Sequence, residues 1–254
     1  MSIRTETADG ILTLTFDRLD KKNAITAAMY QALADALVAA EDDPAVRVIV
    51  LAGHESAFTA GNDLEDFMKH PPKDEHAPVH RFLRAISAAT KPLVASVSGV
   101  AVGVGTTMLL HCDLVYASDT ARLSMPFAQL GLCPEAASSL LLPQLAGYHR
   151  AAEKLLFGEP FDAGEARELG LVNRVLPVAE LEAFVRAQAR KLTLLPPSSL
   201  RATKQLMKEG ATPQIAARMS LEGRQFGEML RAPEAREAFT AFFEKRRPDF
   251  SRFS

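Results

Sequence analysis

Three stretches of this chain combine residue types that do chemistry with backbone that would expose them. In GLCPEAASSLLL (131–142) one carboxylate, Glu135, follows a proline among leucines, alanines, serines and a cysteine. A carboxylate in apolar surroundings resists ionisation, and as a base it then works close to neutral pH. The Pro-Glu pair also reads as the opening of a helix whose first-turn acid merely complements the dipole. The residues alone leave both readings open.

The other two stretches are glycine turns. In AFTAGNDLEDF (57–67), Gly61 lets the backbone approach a ligand closely, and the amides of Asn62 and Asp63 are expected to be unpaired at a helix start. In SGVAVGVGTTMLL (98–110), Gly99, Gly103 and Gly105 again connect a strand to a helix. No Lys-Ser/Thr pair follows, and the full GxGxxG spacing is missing, so neither a phosphate loop nor a dinucleotide site is indicated. Each turn by itself reads as close strand–helix packing. Two free amides facing each other at two helix starts, however, are what an oxyanion hole requires.

Other catalytic patterns are weak. His54, His70, His76 and His80 fall in or near a polar loop, His111 and His149 stand apart, and neither HExxH nor GxSxG occurs. Cys112 and Cys133 form no CxxC pair, so no zinc site or disulfide framework is expected. Cys133 reads as a structural thiol, and Asp113 as the start of a strand. No metal is expected.

The elements that must position these residues follow from periodicity. IRTETADG and ILTLTF read as strands joined at Asp9-Gly10. Thr26 caps a helix with Met29, Leu33, Leu37 and Val38 at helical spacing, ending near Pro44. VRVIVLAG, LVASVSG and DLVYAS read as buried strands, with a helix-compatible Thr106–His111 between the last two. Strands alternating with helices imply a mainly parallel sheet. Residues 68–78 read as a mobile polar loop. From about Pro143 the pattern turns almost entirely helical, with amphipathic runs at 148–157, 177–195, 213–231 and 233–246. The fold class is therefore α/β, a core followed by a helical C-terminal part.

With 254 residues, 48% of them hydrophobic and 24% charged, the chain has material for one large domain, with or without a small appendage. A net charge of −2 gives no footprint for nucleic acid or an anionic membrane. The N-terminus MSIRTETADG lacks the apolar core of a signal peptide, no stretch is long enough to span a bilayer, and free thiols suit a reducing compartment. A cytoplasmic protein is expected.

AFTAGNDLEDF, KPLVASVSGVAVGVGTTMLLHCDLVYASDTARLSMPFAQLGL and FGEPFDAGEARELGLVNRVLP together resemble the crotonase (enoyl-CoA hydratase/isomerase) superfamily, over nearly the whole chain. The resemblance implies a spiral of ββα turns over residues 1–195 and a helical trimerisation region over 196–254. It implies a homotrimer or a dimer of trimers, an acyl-CoA thioester as substrate, and no separate cofactor, since coenzyme A is part of the substrate. It places the oxyanion hole at the backbone amides of Asn62 and Val104, the second where a glycine is usual. It places substrate contacts at Ala60, Gly61, Asp63, Leu64, Gly103 and Phe127, and the nucleotide end of coenzyme A at Phe242 and Lys245, often of a neighbouring subunit.

The departures from the family pattern are informative. Hydratases of this family carry glutamates where this chain has Thr107 and Phe127. Glu135 instead occupies the place of the single glutamate of the Δ3,Δ2-enoyl-CoA isomerase branch, which GNDL and Thr107 also resemble. The expectation is an isomerase with Glu135 as its proton shuttle, Phe127 as an apolar wall, and no demand on the Thr107 hydroxyl. The alternatives are a hydratase or another crotonase reaction such as thioester hydrolysis, and a catalytically silent acyl-CoA-binding protein.

Overall fold

The computed structural model describes residues 2–72 and 74–253. Strands β1 (Ile3–Ala8) and β2 (Ile11–Phe16) form an antiparallel hairpin. Asp9 and Gly10 both take positive φ at its tip, the conformation that a two-residue hairpin turn demands. Helix α1 (Ala27–Asp42) starts at Thr26, whose hydroxyl accepts the Met29 N–H as expected. Met29, Leu33 and Leu37 are buried, but Val38 is 54% exposed. One residue beyond Leu37 it lies about 100° further round the helix, off the buried stripe.

The chain continues through β3 (Val48–Ala52), β4 (Ala57–Thr59), α2 (Leu64–Lys69), α3 (Pro78–Ala88), β5 (Leu93–Val97) and β6 (Val100–Val102). The stretch read as a polar loop over 68–78 is shorter than expected. Met68 and Lys69 finish α2 and Pro78 opens α3 at a position where its missing N–H costs nothing, while Lys73 lies outside the described residues. Helix α3 itself was not anticipated, although Val79, Phe82, Leu83 and Ile86 recur at helical spacing and are all buried.

Next come α4 (Val104–Thr107), which tightens into a 3₁₀ turn over Met108–His111, then β7 (Leu114–Ser118) and β8 (Arg122–Ser124). The remainder holds α5 (Ser138–Ala146), α6 (Tyr148–Phe157), β9 (Phe161–Asp162), α7 (Ala163–Glu168), β10 (Arg174–Leu176), α8 (Val178–Thr193), α9 (Pro197–Lys208), α10 (Thr212–Met229) and α11 (Pro233–Phe243). Two strands thus interrupt the region expected to be helical, each too short to show a period.

Two sheets result. Six strands run in the order β1-β2-β3-β5-β7-β10, parallel except for the first hairpin, and four run β4-β6-β8-β9. Strand β3 shows why its sequence is a continuous apolar run. Ile49 and Leu51 face the main core, while Val48 and Val50 face a second cluster formed with Leu181, Val185 and Ala189 of α8. The α/β core with a helical C-terminal part is the observed fold. Helix α9 is bolted to the core by Lys204, 5% exposed, whose Nζ donates to Asp113 Oδ2 at 2.7 Å and to the Lys91 carbonyl at 2.8 Å. Asp113 is therefore an anchor just ahead of β7. Among the described residues no helix is long and apolar enough to cross a membrane.

Candidate active site

The two glycine turns are brought together by sheet pairing. Strands β4 and β6 are parallel neighbours, so their C-terminal ends, and the turns that follow, lie side by side. Gly61 has φ +83°, and a Cβ there would sit 2.5 Å from the Val102 carbonyl oxygen. A Cβ on Gly105 would sit 2.6 Å from Thr59 Cγ2. Only glycine allows the two turns to touch so closely.

Backbone donors sort cleanly around this contact. Asp63 N–H, expected to be free, donates to the Ile25 carbonyl at 3.0 Å because residues 25 and 62 form a short parallel bridge. Asp63 acts instead through its side chain. It caps α2 by accepting the Asp66 N–H and pairs with Arg18 at 2.6 Å. Gly103 N–H is taken by the Ser124 carbonyl. The N–H groups of Asn62 and Val104 have no acceptor among the described residues. Each stands in the turn that follows a parallel strand.

Glu135 is not in a helix. Helix α5 begins at Ser138, and Glu135 sits in the preceding turn, so its carboxylate does not serve a first helical turn. Ala136 and Ala137 take φ +59° and +56°, left-handed conformations that cost an L-residue about 1–2 kcal/mol each. The turn persists because it is tied on several sides. The Glu135 carbonyl accepts from Ser138 N–H (3.0 Å) and Ser138 Oγ (2.6 Å). His111 Nε2 lies 2.8 Å from the Ala136 carbonyl, and since a carbonyl only accepts, Nε2 carries the proton. Burial holds His111 neutral, with a pKa lowered to about 4.

Only 8% of Glu135 is exposed, and desolvation raises its carboxyl to about 7. Thr107 Oγ1 donates to Glu135 Oε1 at 2.7 Å and opposes that rise, while the charge of Glu222 adds to it. The threonine hydroxyl, for which the sequence reading found no use, is thus the direct partner of the carboxylate. Tyr30 completes the surroundings. It donates to Asn62 Oδ1 at 2.5 Å, and its own pKa is raised by burial and by the nearby Glu135 charge.

Glu135 and Asn62 both line a cavity of about 720 Å³ between α3 and α10. Phe67, Val79, Leu83, Ile215, Met219 and Phe226 make much of its wall apolar, and Arg84, Lys208, Arg224 and Arg231 add cations. The other expected substrate contacts are not in its lining. Ala60, Gly61, Asp63 and Leu64 build the first turn. Phe127 is buried behind the second, its Cε1 4.0 Å from a Cβ built on Gly103. It therefore does not wall this cavity, where Phe67 and Phe226 take that place. Phe242, 58% exposed, and Lys245 lie at the end of α11, away from the cavity in this chain.

A family model described as enoyl-CoA hydratase/isomerase matches residues 6–252. The chain belongs to the enoyl-CoA hydratase/isomerase family. It is 34% identical to a probable enoyl-CoA hydratase of Rhodobacter capsulatus, over 98% of both chains. It is 39% identical to enoyl-CoA delta isomerase 2 of Rattus norvegicus, over 82% of this chain and 54% of that one. The crystal structure of an enoyl-CoA hydratase/isomerase from Pseudoalteromonas atlantica superposes with a TM-score of 0.95 at 42% identity, covering 98% of this chain and all of that one. The crotonase fold and a family activity on acyl-CoA thioesters follow.

Beyond Tyr30, His111 and the apolar wall, the sequence also does not announce one acid of the site. Glu222, in the middle of α10, is 5% exposed and lines the same cavity. Its carboxylate accepts Ala137 N–H at 2.6 Å, Ser139 N–H at 3.0 Å and Ser139 Oγ at 2.5 Å. The only available signal was an acid on an otherwise mildly amphipathic helix, and surface acids look the same.

Proposed function

We propose that the protein is a Δ3,Δ2-enoyl-CoA isomerase. The observation that carries this reading is the buried carboxylate of Glu135, raised to about 7, on the wall of a cavity that also exposes Asn62. Isomerisation needs one group that takes and returns a proton. The Glu135 carboxylate removes a proton from C2, and the C–H electron pair moves into the C1–C2 bond as the thioester oxygen becomes a dienolate. The same carboxyl then protonates C4, which leaves the double bond between C2 and C3. The unpaired N–H groups of Asn62 and Val104 fit the role of donors to that oxygen, where two such bonds contribute several kcal/mol in the transition state. The apolar wall excludes water, which favours proton return over hydration. No cofactor is required.

Hydration would need a second acid; Asp74, Glu75, Glu222 and Glu228 also line the cavity, and of these Glu222 is the buried one. Its oxygens already accept three hydrogen bonds from the Ala137–Ser139 backbone and side chain, which argues against a role on water.

The reading extends to assembly. Leu206 and Met207 on α9 and Phe242 and Phe243 on α11 are exposed, and a trimer-based oligomer would cover such faces and bring Phe242 and Lys245 to a neighbour's coenzyme A. Sedimentation at micromolar concentration is expected to give a multiple of three, and a stable monomer would remove the cross-subunit contact. A cytosolic location suits the two free cysteines.

The test of the reaction is Glu135→Gln, which keeps shape and the amide donors but removes the base. Binding of a 3-enoyl-CoA should persist while its isomerisation falls by about 10²- to 10⁴-fold. Rapid hydration of a 2-enoyl-CoA by the wild type, or full isomerase activity in the variant, would overturn the assignment.

A further inference from the structure

Helix α5 has an unusual start. Its N-cap residue is Ala137, which has no side-chain acceptor for the N–H groups of the first turn. The acceptor comes instead from another element. Glu222 of α10 reaches across and takes Ala137 N–H, Ser139 N–H and Ser139 Oγ, occupying both of its carboxylate oxygens. An anion here is also well placed against the helix dipole. The residues it holds are the left-handed Ala137 and the residue two further on, so the clamp acts on the turn that carries Glu135.

We propose that Glu222 is a positioning residue for Glu135, its carboxylate locking the left-handed turn that sets Glu135 in the cavity wall. This rests on the reading of Glu135 as the base. The turn is a two-sided vice. His111, one helical turn beyond Thr107, holds the Ala136 carbonyl from the core side, and Glu222 holds the next residue's N–H from the α10 side. Without Glu222 the strained alanines would lose the partner that fixes them, and Glu135 would lose its aim while keeping its Thr107 bond.

The second effect is electrostatic. The groups that face Glu135 are Tyr30 from α1, Thr107 from α4, Cys133 from the same loop, and Glu222 from α10. Tyr30 and Cys133 are both held protonated well above neutrality, Cys133 with a pKa of about 11. Arg218 stands beside Glu222 at Ser139, and Arg84 and Lys208 line the cavity further out. The negative charge nearest the base is therefore that of Glu222, which favours the protonated form of Glu135.

Glu222→Gln and Glu222→Asp, made in the full chain, test this. Titration of the Glu135 carboxyl in ligand-free protein, by infrared difference against Glu135→Gln, reads the pair without assuming any reaction. In Glu222→Gln the midpoint should move down from about 7 by roughly half a unit to one unit, because a like charge has been removed. The kcat for isomerisation should fall about 10- to 100-fold with KM changed less than about threefold, as expected for lost aim rather than lost binding. Glu222→Asp keeps the charge, so its midpoint should stay near the wild type, while its shorter reach still lowers kcat about tenfold. An unshifted midpoint with unchanged kcat in Glu222→Gln overturns the proposal, even if that variant melts earlier. Should Glu222→Gln fail to fold, unchanged kcat in Glu222→Asp overturns it. If the wild type does not isomerise 3-enoyl-CoA, the function is wrong, and the infrared midpoint still decides whether Glu222 acts on Glu135.

Discussion

The glycine turns and the Glu135 turn meet at one site but are held by opposite means. The glycine turns are fixed by what lies next to them in the sheet. Strands β4 and β6 pair in parallel, and the lack of Cβ atoms at Gly61 and Gly105 allows contact. The Glu135 turn carries two alanines in a conformation that suits glycine, and beyond its local bonds to Ser138 it is held by side chains from elsewhere: Thr107, His111 and Glu222. An amide donor is a part of the backbone and needs only a rigid strand end. A base needs a tuned environment, and tuning comes from distant groups.

The comparison can be broken most severely at Gly61. In Gly61→Ala the new methyl would meet the Val102 carbonyl at 2.5 Å on a residue with φ +83°, so the turns must separate. Turnover should fall by at least about 100-fold, since displacements near 1 Å at a reacting centre have that effect. The variant should also lose about 1–3 kcal/mol of stability from strain. Steady-state kinetics with a denaturant melt measures both, and near-wild-type values would show that the contact is not needed.

A smaller effect of opposite sign is expected at the other region. Folding raises the Glu135 pKa from 4.5 to about 7, so between those values the native state keeps a proton that the unfolded chain has released. Stability is then highest below about pH 4.5 and is lost as pH rises through about 7, by about 3 kcal/mol in all. Glu135→Gln cannot ionise and should escape this loss. Its melting midpoint should exceed the wild type's at pH 8, and the gap should close by about pH 4.5. A constant gap at all pH values would place the effect in packing instead.

Thr107 sharpens the contrast with the least change. Thr107→Val keeps the shape but removes the hydroxyl that favours the ionised carboxylate, so the acid limb of the pH–rate profile should rise above 7 by about one unit. At pH 9 the two enzymes should differ little. An unmoved limb would make the hydroxyl structural.

Much of this was legible from residues close together in the chain. The Asp9-Gly10 turn, the Thr26 cap, the buried strands and the two glycine turns each announce themselves within a dozen positions. Glu135 was recognisable by its apolar setting and by resemblance. What the sequence concealed was non-local. Helix α3 hid behind a polar loop, β9 and β10 were too short for a period, and Asp63 N–H found its partner at Ile25. The Thr107 and Glu222 contacts to the Glu135 turn join residues 28 and 85 positions apart, and no window on the chain spans such a pair.

That separation of 85 residues also orders events in time. During synthesis the strands that lead into Asn62 and Val104 emerge well before Glu222. A growing chain can pair β4 with β6 and expose both amides while the Glu135 turn still lacks its outer clamp. On the proposed reading Glu135 acquires its place when α10 packs down, so activity should appear later in refolding than sheet structure does. Stopped-flow circular dichroism set beside the recovery of turnover would resolve the two phases. On that reading, a chain assembled in this order would do no chemistry while it is half made.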